Sequence, residues 1–221
     1  MLPRSSQLYL LSVTVLWLVG AVSILVALIG RTTGAVSNFR SWTRVHDMAI
    51  AIACLMIAAL AWNFRRQFDG VLGRSIMWLG TLGGLGTSLL LALVFLTGAS
   101  DMLYMLSQGV IGLWVIALCI RNPVPLSGGA RAVGIIAGTG LVLIATGFVM
   151  IALALGPALV TLVDARSVAV DPADLASPLN SMGHLVLKAG SILGLPTIPV
   201  WAWLASWAGR ANNSLERTRE R

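Results

Sequence analysis

The sequence predicts an all-α integral membrane protein, built as a single bundle of six transmembrane helices with both termini in the cytoplasm. Three observations support this prediction: an apolar composition, six long apolar blocks, and an uneven distribution of basic residues between the blocks. Of the 221 residues, 57% are hydrophobic and only 10% are charged, whereas a soluble domain carries about 25% charged residues. No soluble core of this size would bury so much apolar surface, so a bilayer must supply the remaining apolar environment.

Each apolar block is long enough to cross a membrane, since a helix needs about 20 residues for a hydrocarbon core of roughly 30 Å. Helices are required because lipid cannot satisfy exposed backbone groups and the alternating pattern of a membrane barrel is absent. The first block exceeds the apolar core of a signal peptide, so we expect it to be retained. A short polar cytoplasmic tail, 212–221, is predicted after the last block. The predicted spans are about 8–30, 45–64, 76–98, 102–120, 132–155 and 185–208.

The basic residues predict the orientation of the bundle. The two termini and the loops on their side hold ten basic and three acidic residues, whereas the loops on the other side hold five of each. Cytoplasmic loops carry an excess of Lys and Arg, so the termini are assigned to the cytoplasm. Fourteen of the fifteen basic residues are Arg in a chain rich in Ala, Gly, Leu and Val. This composition is typical of a GC-rich bacterial genome and indicates the bacterial cytoplasmic (inner) membrane.

Neither the net charge nor the cysteines indicate a further partner. The charge of +7 arises from residues scattered over short loops, without the basic stripe of a nucleic-acid interface, so no nucleic-acid partner is predicted. Cys54 and Cys119 lie inside apolar spans and are expected to be small buried residues. Since no CxxC or Cys/His ligand spacing occurs, no metal site is predicted.

Three GxxxG patterns lie inside the predicted spans. Small residues four positions apart let two helix backbones approach closely, either between subunits or within one bundle. Six helices have many internal contacts to make, so we favour packing inside the bundle over self-association. The pairs are Gly80 and Gly84, Gly134 and Gly138, and Gly190 and Gly194.

The sixth span contains Pro196 and Pro199. Each proline removes a backbone donor, which frees the carbonyls of Ile192 and Leu195. One hypothesis is a hinge or an unwound binding segment, as in broken-helix transporters. The alternative is a static kink whose carbonyls are satisfied by neighbouring helices.

A faint internal repeat relates two predicted helical hairpins. Asp47 opens the second span and Asp101 the fourth, each followed by Met, and the two spans end at Arg65 and Arg121. The following span is rich in Gly in both cases. Spans two and three therefore match spans four and five, as in transporters with internal repeats.

Polar residues concentrate at the predicted outer ends of three spans. Three of them recur every four residues on span six and therefore share a helix face, and the other four lie near the starts of spans two and four. Ionisable groups at membrane depth are costly and often functional, although Lys188 also has the length to reach the headgroups. The predicted ligand-binding residues are His46, Asp47, Asp101, Gln108, Asn180, His184 and Lys188.

We expect His184 and Lys188 to point into the bundle, toward His46, Asp47 or Gln108. The carboxylates that would balance the Lys188 ammonium, Asp47 and Asp101, occur at the same predicted depth on spans two and four. An unpaired ammonium at the bilayer centre costs about 2.5–3.5 kcal/mol on insertion scales. Inward pairing would therefore stabilise the bundle and create a polar site near the outer leaflet.

Four functions are compatible with this arrangement. The first is binding or transport of a small amphipathic or anionic molecule or a lipid. The second is a membrane enzyme with His46 or His184 as acid or base, Asp47 or Asp101 as its orienting carboxylate, and Lys188 stabilising an anion. The third is a haem b protein with His46 and His184 as axial ligands, the one cofactor considered. The fourth is a scaffold or assembly protein without chemistry of its own.

The predicted orientation is open to a direct test with reporter fusions. A reporter active only in the cytoplasm should be active when fused to the C-terminus and silent when fused at Asp171, because the basic excess retains the termini inside. Activity at Asp171 together with silence at the C-terminus would show that the orientation is inverted.

Overall fold

The computed structural model describes residues 4–32, 36–67, 70–97, 103–123, 126–155 and 177–219. Within these ranges the chain contains six α-helices and one short 3-10 turn, Phe64–Gln67, and no strand. The helices are α1 (Arg4–Thr32), α2 (Val36–Asn63), α3 (Gly70–Thr97), α4 (Tyr104–Arg121), α5 (Gly128–Leu155) and α6 (Pro178–Arg219).

All six helices are long and apolar enough to cross a membrane. This agrees with the predicted number of spans and with a multi-pass membrane protein. Several helices extend beyond the predicted spans: α2 begins at Val36, and α6 continues through most of the predicted polar tail to Arg219. The apolar pattern marks only the stretch suited to lipid, whereas an established helix adds further residues at low cost.

The start of α6 follows from two adjacent residues. Ser177 accepts a hydrogen bond through Oγ from the backbone N–H of Asn180 at 3.1 Å, and Pro178 is the first helical residue. Serine as N-cap and proline in the first turn are strong helix-start signals, so α6 begins before the predicted apolar span. A similar signal, Asp171 to Asp174, lies outside the described residues.

The helices form a closed ring in chain order. Each one packs against its neighbours in the sequence, and α6 closes the ring against α1. Within the described ranges, no other pair of helices shares an extensive contact. Large side chains fill the middle of the ring, among them Trp17, Ile57 and Leu141, together with Trp114 and Trp201. The last two meet edge to face, with ring centroids 6.2 Å apart.

Glycines bring neighbouring helices of the ring into backbone contact. A Cβ at Gly147 of α5 would lie 2.6 Å from the Leu187 nitrogen and 2.7 Å from the Gly183 oxygen of α6. A Cβ at Gly84 of α3 would lie 2.5 Å from the Cys54 oxygen of α2. No real Cβ fits at such distances, so these positions accept only glycine unless the helices separate.

All three GxxxG pairs face other helices of the same chain. Gly84, Gly138 and Gly190 meet the backbone of α2, α4 and α5 respectively. Gly80 contacts Ala61 and Trp114, Gly134 contacts Cys119 and Trp201, and Gly194 contacts Gly140. This is the arrangement expected of packing inside the bundle.

Helix α6 continues through both of its prolines. The segment is therefore helical and not an unwound stretch, while the hinge remains a prediction about motion. The Thr197 hydroxyl donates to the carbonyls of Leu193 and Gly194, and the Pro199 carbonyl accepts a hydrogen bond from Thr14 Oγ1 of α1 at 3.4 Å. These bonds hold the proline segment within its own helix and against α1.

The backbone contact between α5 and α6 predicts a position-specific cost. Gly147→Ala should lower the free energy of unfolding by about 1–3 kcal/mol, because the added methyl group forces two packed backbones apart. Gly129→Ala on the same helix is the control, since a Cβ there meets nothing within 4 Å. Denaturant titration of the purified protein in mixed micelles measures both changes, and equal effects would contradict backbone contact at Gly147.

Candidate functional site

The bundle contains a cavity of about 130 Å³ near its predicted outer end, where α1, α3 and α5 finish and α2, α4 and α6 begin. Every helix except α3 contributes to its wall. The wall is mostly apolar, with polar groups from three different helices. The lining residues are Trp17, Ala21, Ile24, His46, Ile50, Tyr104, Met105, Gln108, Ile144, Ser191 and Leu195.

His46 is held in place by a close approach of α1 and α2. Its Nδ1 lies 3.0 Å from the Gly20 oxygen, and since a carbonyl only accepts, Nδ1 carries the hydrogen of this bond. In the neutral imidazole, Nε2 is then the acceptor. A Cβ at Gly20 would lie 2.8 Å from Ile50 Cδ1 and 3.4 Å from His46 Nδ1. Glycine at this position therefore allows the histidine to reach the α1 backbone.

Gln108 of α4 is the most deeply buried polar residue of the wall, with 4% of its surface exposed. Among the described residues it has no hydrogen-bond partner. A side-chain amide offers two donors and an acceptor. Because neither polar atom of Gln108 is among the fully enclosed side-chain atoms that lack a partner, the amide is accessible from the cavity that the residue lines. A ligand or water in the cavity could therefore pair with it.

Ser191 of α6 adds an acceptor to the wall. Its hydroxyl donates to the Leu187 carbonyl at 2.9 Å, so its oxygen lone pairs remain available. Together with His46 Nε2 and the Gln108 amide, this gives the cavity two acceptors and one group that both donates and accepts.

The structure brings His46 and Gln108 together and places the other predicted residues elsewhere. Asp47 is half-buried next to His46 but does not line the cavity, and Asn180 is buried near the start of α6. Asp101 lies outside the described residues. Two of the predicted ligand-binding residues, His46 of α2 and Gln108 of α4, therefore line this cavity.

The expected inward orientation of His184 and Lys188 is wrong. Both side chains are exposed and neither lines the cavity. A four-residue step turns a helix about 40° beyond one full turn, so the face that begins at buried Asn180 rotates outward at His184 and further at Lys188. The inward face of α6 passes instead through Gly183 and Gly190. These two residues are seven apart, and residues spaced alternately three and four apart stay on one face of a helix.

The outward position of His184 also affects the hypothesis of a haem b protein. A bis-histidine haem needs His46 and His184 on opposite sides of one cavity, and His184 is not part of the wall that contains His46. Within the part of the chain that the structure describes, no three His, Cys, Asp or Glu residues lie close enough together to hold a metal ion.

No protein-family model, curated protein or solved structure matches this chain. The function must therefore be inferred from the cavity itself.

No sequence pattern predicts that the aromatic residues Trp17 and Tyr104 line the cavity. Inside a span every face of a helix is apolar, so hydrophobic periodicity does not separate a cavity wall from a lipid-facing surface. Polar residues are the only markers there, and they identified His46 and Gln108.

The Gln108 amide, which pairs with no described residue, predicts that its removal is tolerated. Gln108→Leu should change the free energy of unfolding of the ligand-free protein by less than about 1 kcal/mol, because no described residue loses a hydrogen bond. Met105→Leu is the control: it changes the same wall without altering a polar group and should cost under about 1.5 kcal/mol. A destabilised Gln108→Leu protein in denaturant titration would mean that the amide is already paired.

Proposed function

We propose that this chain is a multi-pass protein of the bacterial cytoplasmic membrane, with both termini in the cytoplasm, that binds a small uncharged amphipathic molecule in the cavity around His46 and Gln108. The observation that carries this proposal is Gln108: a residue only 4% exposed, whose amide is accessible from the cavity and pairs with no described residue. An amide placed at the wall of an otherwise mostly apolar cavity is a typical orienting group for a ligand.

The composition of the wall supports an uncharged ligand. Among the residues that the structure describes, no Asp, Glu, Lys or Arg lines the cavity, and an ion would be costly to bury without a counter-charge. The anionic ligand considered from the sequence depended on Lys188, whose side chain is exposed elsewhere. A molecule with one hydroxyl group would donate to the Gln108 amide oxygen, and its apolar part would contact Trp17 and Tyr104.

Two wall residues support entry from the side of the bundle. Ala21 of α1 and Leu195 of α6 line the cavity and are exposed at the protein surface. Their helices share the least extensive contact of the ring. Pro196 directly follows Leu195, so bending of α6 at its prolines would widen this seam. Such movement would let a lipid-soluble molecule exchange with the leaflet, which is the basis for retaining a transport role.

An enzymatic role finds less support than binding. His46 is suited to proton transfer, but among the described residues no carboxylate lines the cavity to orient it. The serine of the wall, Ser191, donates its hydroxyl to the Leu187 carbonyl and not to His46, so it is not an activated nucleophile in the manner of known triads. The available groups are those of a binding site, with a few polar contacts in an apolar wall.

Phenol and benzene form a matched pair of probes. A dry cavity of about 150 Å³ accommodates benzene in another protein, and phenol adds one hydroxyl. The wild-type protein in lipid nanodiscs should bind phenol about 3–10 times more tightly than benzene, the effect of one net hydrogen bond. Ligand-observed NMR titration measures both affinities.

Two variants decide whether the cavity causes this preference. Gln108→Leu should reduce the ratio of the two affinities to about one, while Met105→Leu should leave it unchanged. The same preference in Gln108→Leu as in the wild type would mean that phenol partitions into lipid or binds elsewhere, and the proposed site would be wrong.

A further inference from the structure

We propose that a second site, an apolar groove on the outside of α1, α2 and α3, binds one anionic phospholipid, with an acyl chain in the groove and the phosphate on Arg44. The groove has a volume of about 370 Å³ and is open along one side. It shares no residue with the cavity around Gln108, so the two proposals fail independently. Its lining residues are Leu16, Arg44, Val45, Met48, Ala49, Ile52 and Phe95.

Arg44 supplies the charge at one end of the groove. Its side chain is exposed, and the guanidinium carbon lies 5.9 Å from the centre of the Phe95 ring. No ion pair joins Arg44 to any of the residues that the structure describes. Stacking on an aromatic face orients a guanidinium while its edge N–H groups remain available for a bidentate contact with phosphate.

The depth of Arg44 matches the position of a phosphate. The apolar part of α2 begins at Ser41, so Arg44 lies about one turn inside the span, where a long side chain reaches the headgroup level. Arginine is well suited to binding a phosphate, which its planar guanidinium can contact with two parallel N–H groups. The charge complementarity between this guanidinium and a phosphodiester therefore defines one end of the ligand.

The length of the groove matches an acyl chain. From Arg44 to Ile52 the wall follows α2 for eight residues, which corresponds to about 12 Å along the helix axis. One leaflet of the hydrocarbon core is roughly 15 Å deep, half of about 30 Å. Apart from Arg44, every lining residue is apolar. The groove thus runs from the headgroup level through most of one leaflet, as a lipid tail does.

Arg65 is a matched control for Arg44. It too is exposed and stacked on an aromatic ring, with its guanidinium carbon 5.0 Å from the centre of the Trp62 ring. It lies in the 3-10 turn that follows the other end of α2 and donates from Nη1 to the Trp62 carbonyl at 3.2 Å. Replacing either arginine removes one positive charge and one stacking contact, but only Arg44 is part of the groove.

Native mass spectrometry with phosphatidylglycerol added to the detergent-solubilised protein tests the proposal. The wild type should retain one lipid at concentrations where Arg44→Gln retains at least five times less, and Arg65→Gln should match the wild type. Met48→Trp, which fills the groove and keeps the charge, should also lose the lipid. Equal retention in the wild type, Arg44→Gln and Met48→Trp would overturn the site.

The role of the acyl chain is tested by competition. Glycerol phosphate, which has the anion without the tails, should not displace the retained lipid at the same concentration. Displacement by glycerol phosphate would overturn the lipid assignment, because it would mean that Arg44 binds anions without help from the groove. A parallel loss in Arg65→Gln would likewise overturn it, since net charge and not the groove would then govern retention.

Discussion

The backbone contact between α5 and α6 is the constraint on which the rest of the bundle depends. In a membrane, helices gain little from burying apolar side chains, because lipid is equally apolar, so close van der Waals contact becomes the main source of cohesion. Gly147 and Gly183 meet without intervening side chains, as do Gly140 and Gly194. This side of the ring therefore has no room for a ligand. Space remains toward α1 and α4, where Trp17 and Tyr104 line the cavity.

The polar groups of the cavity wall interrupt an otherwise apolar core. Gln108 lies on the same helix as fully buried Ile111 and Trp114, and an aliphatic residue in its place would avoid the cost of burying an amide. His46 is oriented by a carbonyl of α1 through an approach that Gly20 permits. Polar groups held in this way at a cavity are better explained by a ligand than by stability, which is the physical basis of the proposed binding function.

The number of helices and two polar residues of the candidate site, His46 and Gln108, were predictable from the sequence, whereas the rest of the cavity wall was not. Long apolar blocks leave little choice of secondary structure in lipid, and Ser177 with Pro178 marks the true start of α6. Polar residues are rare in such blocks, so His46 and Gln108 stand out. The failure at His184 and Lys188 has a geometric cause: regular spacing shows that residues share a face, but the direction of that face depends on which positions the neighbouring helix contacts. Gly183 and Gly190 decide this direction through α5, a contact between distant parts of the chain.

The accessibility of position 108 tests the central claim most directly, because burial within the fold and exposure to a cavity are different properties. In a variant with Cys54 and Cys119 replaced by alanine, a cysteine introduced for Gln108 should react with N-ethylmaleimide in membranes. A cysteine introduced for Ile111, one turn further along α4 and 1% exposed, should remain unreactive. The account predicts a clear difference in modification rate between the two positions. Equal protection of both would contradict it, since Gln108 would then be part of a closed core with no site for a ligand.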